Sequence, residues 1–350
     1  MPTRIKKPAW PALAARLAEL IPRSALHPAV VAWAEGDSDA ARRAWAVGFS
    51  GGADSLALLL LLWAHWPHQR ARLLGLHFDH RLRGRVSTAD ARFCAQVCAA
   101  LGVRFVSAAW AEARPQASEA EARTARFAFF NRELGRRRIR ALWLGQQQDD
   151  IAETLLMRLA RGSGTAGLAA PRPLQPMPAE RVHVRPLLTL KKTELTAALA
   201  GLGAPWREDA SNATDAYQRN RLRHAGLPEW KAAAEGRDAL AGAALSRELL
   251  DEDDSALETW VDTLAPLSAD GLRLDVAKLH GLPRAVVRRA LHRWLVAQAD
   301  TGDLSRQGFA VLLAAVERGS FTRFSLGRSG LAVIRQGGLS VETPKQKRPI

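Results

Sequence analysis

The sequence predicts an α/β fold: an open, parallel, five-stranded sheet with helices on both faces, followed by a mainly helical C-terminal domain. Three observations predict it. Short apolar runs alternate with helical patterns between Ala44 and Leu187, as strands buried on both faces and joined by crossover helices require. The first run passes straight into a turn with two adjacent glycines, Gly51 and Gly52, and a helix starts at once. Beyond Arg223 the alternation stops and an Ala-rich helical texture replaces it.

Taken in order, Leu13 to Leu20 reads as a short amphipathic helix. Ala44 to Phe49 is the first strand, Leu56 to Trp66 a helix, Leu73 to Phe78 the second strand and Ala89 to Leu101 a helix. Val103 to Ser107 is the third strand, Glu119 to Arg137 a helix, Ala141 to Gly145 the fourth strand, Asp149 to Ala160 a helix and Val182 to Leu187 the fifth strand. The span from Gly162 to Pro178 is dense in Gly and Pro and reads as a long loop, a feature that is usually functional or mobile. Further on, Glu229 to Leu264, Arg284 to Gln298 and Ser305 to Glu317 read as helices. Phe321 to Leu326 and Leu331 to Arg335 read as short strands, and Lys345 to Pro349 as a frayed tail. The resulting division is a helical extension over 1–40, the α/β domain over 41–223, the mainly helical domain over 224–344 and a tail over 345–350.

Composition excludes several classes. Apolar residues make up 47% and charged residues 24% of the 350, an ordinary globular balance. Cys94 and Cys98 are the only cysteines, too few for a disulfide framework or a zinc cluster, so a reducing, cytoplasmic setting is expected. The most apolar uncharged stretch, Ser55 to Gln69, falls short of the roughly 20 residues a bilayer needs, and Arg16 and Glu19 interrupt any signal-like run. No membrane association is expected. Before the cut at Arg223 stand 33 basic and 19 acidic residues, and after it 17 and 16, so the two parts carry +14 and +1. A nucleic-acid partner and a mere preference for arginine both account for that asymmetry.

Ligands of such sheets bind beyond the carboxyl ends of the strands. There the first strand runs into Ser50-Gly51-Gly52-Ala53-Asp54-Ser55. Adjacent glycines let backbone N–H groups turn toward an anion, the helix start adds its dipole, and the hydroxyls of Ser50 and Ser55 add donors. Asp54 makes sense in such a cradle if it holds Mg²⁺ between phosphates or a substrate ammonium; helix capping is the plainer alternative. No G-x-x-x-x-G-K-S/T occurs at this loop, which excludes an ordinary kinase or GTPase. Asp149, Asp150 and Glu153 open the helix after the fourth strand, a cluster suited to Mg²⁺ or an ammonium group, or simply to the helix dipole. His77, Asp79 and His80 follow the second strand; they line a nucleotide pocket or are satisfied polar residues, and a zinc site would have only two histidines and one acid.

Ser-Gly-Gly-x-Asp-Ser resembles the PP-loop of the ATP pyrophosphatases. Further segments are similar to the tRNA(Ile)-lysidine synthetases: His77 to Arg83 to H-x-D-H-x-L-R, Glu119 to Phe127 to E-x-x-A-R-x-x-R-Y/F, and Gly145 to Thr154 to G-H-H-x-D-D-Q-A-E-T. Glu208 to Asn212 with Tyr217 to Arg223 resembles E-D-x-S-N followed by Y-x-R-N-x-I/L-R, and Arg158 to Gly167 and Arg185 to Leu188 fit as well. This resemblance covers about residues 44–223 closely and the C-terminal helices more loosely. It implies a ligase that adenylates O2 of the wobble cytidine of a CAU-anticodon tRNA(Ile) with ATP. The ε-amine of L-lysine then displaces AMP at C2, giving lysidine. It also implies that Ser50, Gly51, Gly52, Ala53, Asp54, Ser55, His77, Asp79, Gly145 and Gln146 line the ATP site. Asp54, Asp150 and Glu153 would receive lysine, Asp54 and Asp150 would hold Mg²⁺, and Arg123 and Arg219 would approach the nucleotide or its transition-state charge. Arg136, Arg137, Arg138 and Arg140, the densest basic run, are the expected tRNA contact, with a solvated face as the alternative.

One departure stands out. The two histidines of G-H-H are Gln146 and Gln147 here, and glutamine takes up no proton near neutral pH. Gln146 is expected to position a phosphate oxygen. Three rival readings are a tRNA thiolase, which would need reactive cysteines, a small-molecule amidotransferase, and a tRNA-binding protein that has lost catalysis. The C-terminal part is expected to grip tRNA despite its near-neutral charge. Some members of the resembled family carry an additional C-terminal domain, for which this chain is expected to be too short, and monomer and homodimer both stay open.

Overall fold

The computed structural model describes residues 8–81, 85–114, 117–208, 218–298, 304–327 and 330–342, with backbone alone at 85–87. Leu82, Arg83, the stretch Asp209 to Tyr217 and the expected tail from Lys345 lie outside the described residues.

Helices α1 (Trp10–Leu20), α2 (Pro28–Glu35) and α3 (Asp39–Arg42) precede the sheet. Then β1 (Trp45–Gly48) leads to α4 (Ala53–His65), β2 (Leu73–Asp79) to α5 (Arg85–Ala100), and β3 (Arg104–Ala109) to α6 (Glu119–Arg137). After these, β4 (Ala141–Trp143) leads to α7 (Gln148–Ala160). A single turn, α8 (Thr165–Leu168), precedes β5 (Leu174–Met177) and β6 (Arg181–Val184). The chain continues through α9 (Lys192–Gly201), α10 (Gln218–Arg221), a π-helical turn over Leu222–Gly226, and α11 (Leu227–Ala232).

Side-chain alternation explains the layers. On β1, Trp45 and Val47 enter one core with Leu56 to Leu62 of α4, while Ala46 enters another with Phe129, Phe130 and Leu134 of α6. Trp143 and Leu142 of β4 divide the same way, as a strand covered on both faces demands. Helix α4 is apolar nearly all round because α1 and α9 cover the side turned away from the sheet. Helix α6 begins at a capping box in which Ser118 Oγ accepts from the Glu121 N–H at 3.2 Å and the Glu121 carboxylate accepts from the Ser118 N–H at 2.8 Å.

Among the described residues the sheet has six strands in the order β3-β2-β1-β4-β6-β5. Five are parallel, as expected, and β5 is an added antiparallel edge strand on β6, with Leu174 opposite Val184. It lies inside the span read as a loop. Pro173 and Pro176 hide it from sequence reading, yet an edge strand tolerates proline because one row of its N–H groups faces no partner. The fifth expected strand, Val182 to Leu187, stops at Val184 because Pro186 opens a 3₁₀ turn.

The chain divides into two compact units, Met1–Leu250 and Asp251–Ile350. The first reaches past Arg223 because Leu227, Leu240 and Ala243 share a core with Ile151 and Ala152 of α7. The helix expected from Glu229 to Leu264 is broken between α11 and α12 (Ala239–Leu264), where Glu235 and Gly236 take φ of 50° and 82°. The second unit holds β7 (Leu274–Asp275), α13 (Arg284–Ala297), α14 (Arg306–Arg318), β8 (Thr322–Ser325), β9 (Leu331–Arg335) and β10 (Gly338–Glu342). Its strands form an antiparallel sheet, β7-β10-β9-β8, around a core with Trp294, Leu312 and Leu339. No described helix is long and apolar enough to cross a membrane.

Candidate active site

Strands β1 and β4 are neighbours, and the chain runs outward from β1 through β2 to β3 before returning to β4. That reversal opens a crevice between the loops that follow β1 and β4. In the first loop Gly51 has φ +89°, and a Cβ there would stand 3.1 Å from Cys94 Sγ. Ser55 Oγ accepts from the Ser50 N–H at 3.2 Å and donates to the Gly52 carbonyl at 3.1 Å, while Ser50 Oγ accepts from the Gly52 N–H at 3.3 Å. The two hydroxyls thus hold the loop in shape. Gly52 is the N-cap of α4, and no side chain caps the helix, so its first N–H groups are left available to an anion. In the second loop a Cβ on Gly145 would come within 2.9 Å of the Asp54 carbonyl, so the two loops touch through that glycine.

Asp54 does not cap the helix. Its Oδ1 is buried and meets no donor, and burial together with the Asp150 charge pushes its carboxyl up to about 6. Lys192 and Arg223 pull the other way without cancelling the rise.

The three acids of α7 separate. Gln147 caps the helix, its Oε1 accepting from the Asp149 N–H at 2.6 Å, while its own N–H donates to Asp150 Oδ2 at 3.0 Å. Asp150 also accepts from Arg219, and burial still raises its carboxyl. Glu153, wholly buried, accepts from Arg219 Nε at 2.5 Å and from Arg223 Nε at 2.6 Å. Asp149 turns aside to the Lys192 N–H and the Lys231 ammonium, each at 3.1 Å. Asp54 is therefore the acid of the expected set whose oxygen is left free.

Opposite these acids stand arginines. Arg123 lies over the Phe127 ring at 4.8 Å, and burial and the Arg219 charge lower its pKa. Arg126 has a buried Nε without a partner; burial, then Arg123, brings its pKa down to about 10. Arg185 is brought to about 10 by burial and by Arg123. Beside it, burial and the Arg185 charge press His183 down to about 4, so that its imidazole is neutral. Cations held this close, with few acids among them, form a seat for an anion.

His77 donates through Nδ1 to the Phe49 carbonyl at 3.0 Å, its Nε2 is buried without a partner, and burial lowers its pKa. Asp79 accepts from the Arg81 N–H at 2.7 Å at the same edge of the sheet. No group of three or more metal-ligating side chains gathers among the described residues. Burial pushes the Cys98 thiol up to about 12 and Cys94 higher still. Arg136, Arg137, Arg138 and Arg140 join α6 to the amino end of β4, on the opposite edge of the sheet from the phosphate loop. There Arg136 and Arg137 pair with Glu133, and Arg140 pairs with Asp39 and Glu180 at 2.9 and 2.7 Å.

Sequence reasoning left Arg126, Arg185, Arg223 and Lys192 out of the site. For Arg223 a signal existed: it stands one helical turn beyond Arg219, on the same face. For Lys192 none did.

A family model described as a PP-loop domain (ATP_bind_3) matches residues 29–230, more than half of the chain. The chain belongs to the PP-loop family. That membership supports the use of ATP. Among curated PP-loop relatives, a tRNA(Ile)-lysidine synthase of Solibacter usitatus is 37% identical over 79% of this chain and 61% of its own length. Proteins of the same name from Geobacter sulfurreducens and Pseudomonas syringae pv. tomato are 37% and 40% identical, over 75% and 72% of this chain and 56% and 57% of theirs. The chain thus spans about three-fifths of these relatives. A solved U34-tRNA thiolase from Methanococcus maripaludis aligns at TM-score 0.49 and 16% identity, covering 69% of this chain and 78% of that one.

Proposed function

We propose that this chain joins L-lysine to C2 of the wobble cytidine of CAU-anticodon tRNA(Ile), spending ATP through an adenylated cytidine and releasing AMP and pyrophosphate. The observation that carries the reading is the unpartnered, buried Oδ1 of Asp54 on a preformed phosphate loop beside Asp150. A free carboxylate oxygen among phosphate-binding N–H groups asks for a cation that arrives with the substrates. Mg²⁺ fits that demand, because it commonly takes one or two carboxylates and completes its shell with phosphate oxygens and water. Asp54 and Asp150 would hold it, and when bound with ATP it would neutralise phosphate charge. The loop's N–H groups orient the triphosphate, Arg123 and Arg126 face the charge that develops as pyrophosphate leaves, and Asp54 and Asp150 draw in the lysine ammonium. Glu153 holds Arg219 and Arg223 in place.

The decisive experiment incubates the protein with ATP, labelled lysine and an unmodified CAU-anticodon transcript. Label in the RNA, with pyrophosphate release dependent on both lysine and tRNA, is expected; binding without turnover would refute the ligase reading. The buried, protonated thiols disfavour a thiolase. Replacing both Cys94 and Cys98 by Ala should leave turnover in place at a stability cost of about 1–2 kcal/mol, whereas a thiolase would lose it. We also keep the far-edge arginines as a tRNA contact. Alanine at Arg136, Arg138 and Arg140 together should weaken tRNA binding and lower the salt slope by roughly 1–3, about 0.9 for each phosphate contact removed; an unchanged slope would remove that edge from the tRNA footprint.

A further inference from the structure

Arg185 lies at the end of β6, and all three of its nitrogens are used. Nη1 donates to the Arg172 carbonyl at 2.8 Å, Nη2 donates to Gln175 Oε1 at 2.9 Å, and Nε donates to Gln146 Oε1. Every acceptor is uncharged, and the guanidinium is buried. Its charge is therefore held in place without being neutralised, within electrostatic reach of Arg123. Gln146 follows Gly145, the residue pressed against the Asp54 carbonyl. One side chain thus ties the loop after β4, whose Gly145 abuts the phosphate loop, to the guanidinium, and the guanidinium ties that loop to the Arg172–Gln175 segment.

We propose that Gln146 is a positioning residue: its neutral amide oxygen orients Arg185 as a fixed cation for the triphosphate, so that position 146 serves as a lone-pair acceptor and not as a proton carrier. The inference rests on the function proposed above for its substrate, a nucleoside triphosphate. The groups around position 146 support it. Arg185 and Arg123 are cations, His183 is a neutral imidazole, and Asp150 is the acid whose charge acts on Arg185. A protonated side chain at 146 would have no lone pair for Arg185 Nε and would add a further positive charge beside the two arginines. A neutral imidazole would keep the lone pair.

The test measures calorimetric affinity for the non-cleavable analogue α,β-methylene-ATP with Mg²⁺, a reading that does not require turnover. Gln146→Leu, which has no acceptor, should bind about 10-fold more weakly, as should Arg185→Lys, and the double variant should be hardly weaker than either single one. Gln146→His should recover most of the affinity lost in Gln146→Leu at pH 8. From pH 8 to pH 6 its affinity relative to the unaltered protein should hold steady or fall. Additive losses, or a Gln146→His protein that gains on the unaltered one as the pH drops, would overturn the proposal. Should Gln146→Leu fail to fold, the pH series on Gln146→His decides alone. Analogue binding that follows this pattern in a protein without lysine-dependent pyrophosphate release would instead refute the ligase reading and leave the role of Gln146 standing.

Discussion

Asp54→Asn is expected to abolish lysine-dependent pyrophosphate release, by at least about 100-fold, while making the fold more stable at pH 7. The two effects share a cause. Asp54 presents a buried carboxylate oxygen with no donor, next to a second acid, and its carboxyl is raised from 3.8 to about 6. A rise of that size corresponds to about 3 kcal/mol of destabilisation once the group is ionised. The sign follows from proton binding. Between pH 4 and 6 the folded state keeps a proton that the unfolded chain has released, so this group's contribution is most favourable below its unfolded pKa and is lost as pH rises through about 6. Asparagine has no such proton. Urea unfolding at a series of pH values should show the unaltered protein gaining stability from pH 7 to pH 4 by a component that the variant lacks. Equal stability of the two proteins at pH 7 would mean that Asp54 is already compensated in the free protein. Mg²⁺ with ATP should narrow the gap, because a cation at Oδ1 removes the penalty in the unaltered protein alone.

Glu153→Ala is expected to cost about 3–5 kcal/mol of stability in the first unit. Glu153 is wholly buried, and Arg219 and Arg223 both donate to it. Truncation leaves two guanidinium groups partly buried beside Asp150, which can answer Arg219 but not both. Removing the cluster together, as Glu153→Leu with Arg223→Met, should recover much of the loss, since apolar groups of similar size leave no stranded charge. Tryptophan fluorescence during denaturation reads these changes, with Trp45, Trp66 and Trp143 buried in the core of the same unit. A Glu153→Ala protein that keeps its stability and only raises the KM for lysine would show that Glu153 serves the amine directly.

The pairing of Glu153 was out of reach of sequence reading. Its partners stand 66 and 70 residues away and come together only because α10 and the turn after it lie on α7. The phosphate loop was plainly legible, since strand, turn and helix follow one another within a dozen residues and each leaves a local mark. Helix α6 was legible to the residue, from Glu119 to Arg137, because a capping box starts it and a left-handed Arg138 ends it. Strand β5 was not: Pro176 within it and Pro173 just before it speak against a strand, and only its place at the sheet edge makes the internal proline tolerable. The carboxylates of α7 looked like one cluster because they are close in sequence. In space the helix turns Asp149 toward Lys192 and Lys231, Glu153 toward the arginines, and Asp150 toward Asp54.

Local chemistry along the chain was enough to establish the five parallel strands with the helices between them, the anion-binding turn after the first strand and the PP-loop resemblance, because apolar period, glycine freedom and capping act over a few neighbouring residues. The fold alone settled which charges meet. It brought Gly145 against Asp54, joined Gln146 to Arg185, and carried the Arg136–Arg140 run to the opposite edge of the sheet. Those outcomes depend on which strand ends share an edge and which helix faces turn toward each other, and that is a property of the packed sheet and its helices rather than of any short stretch of residues.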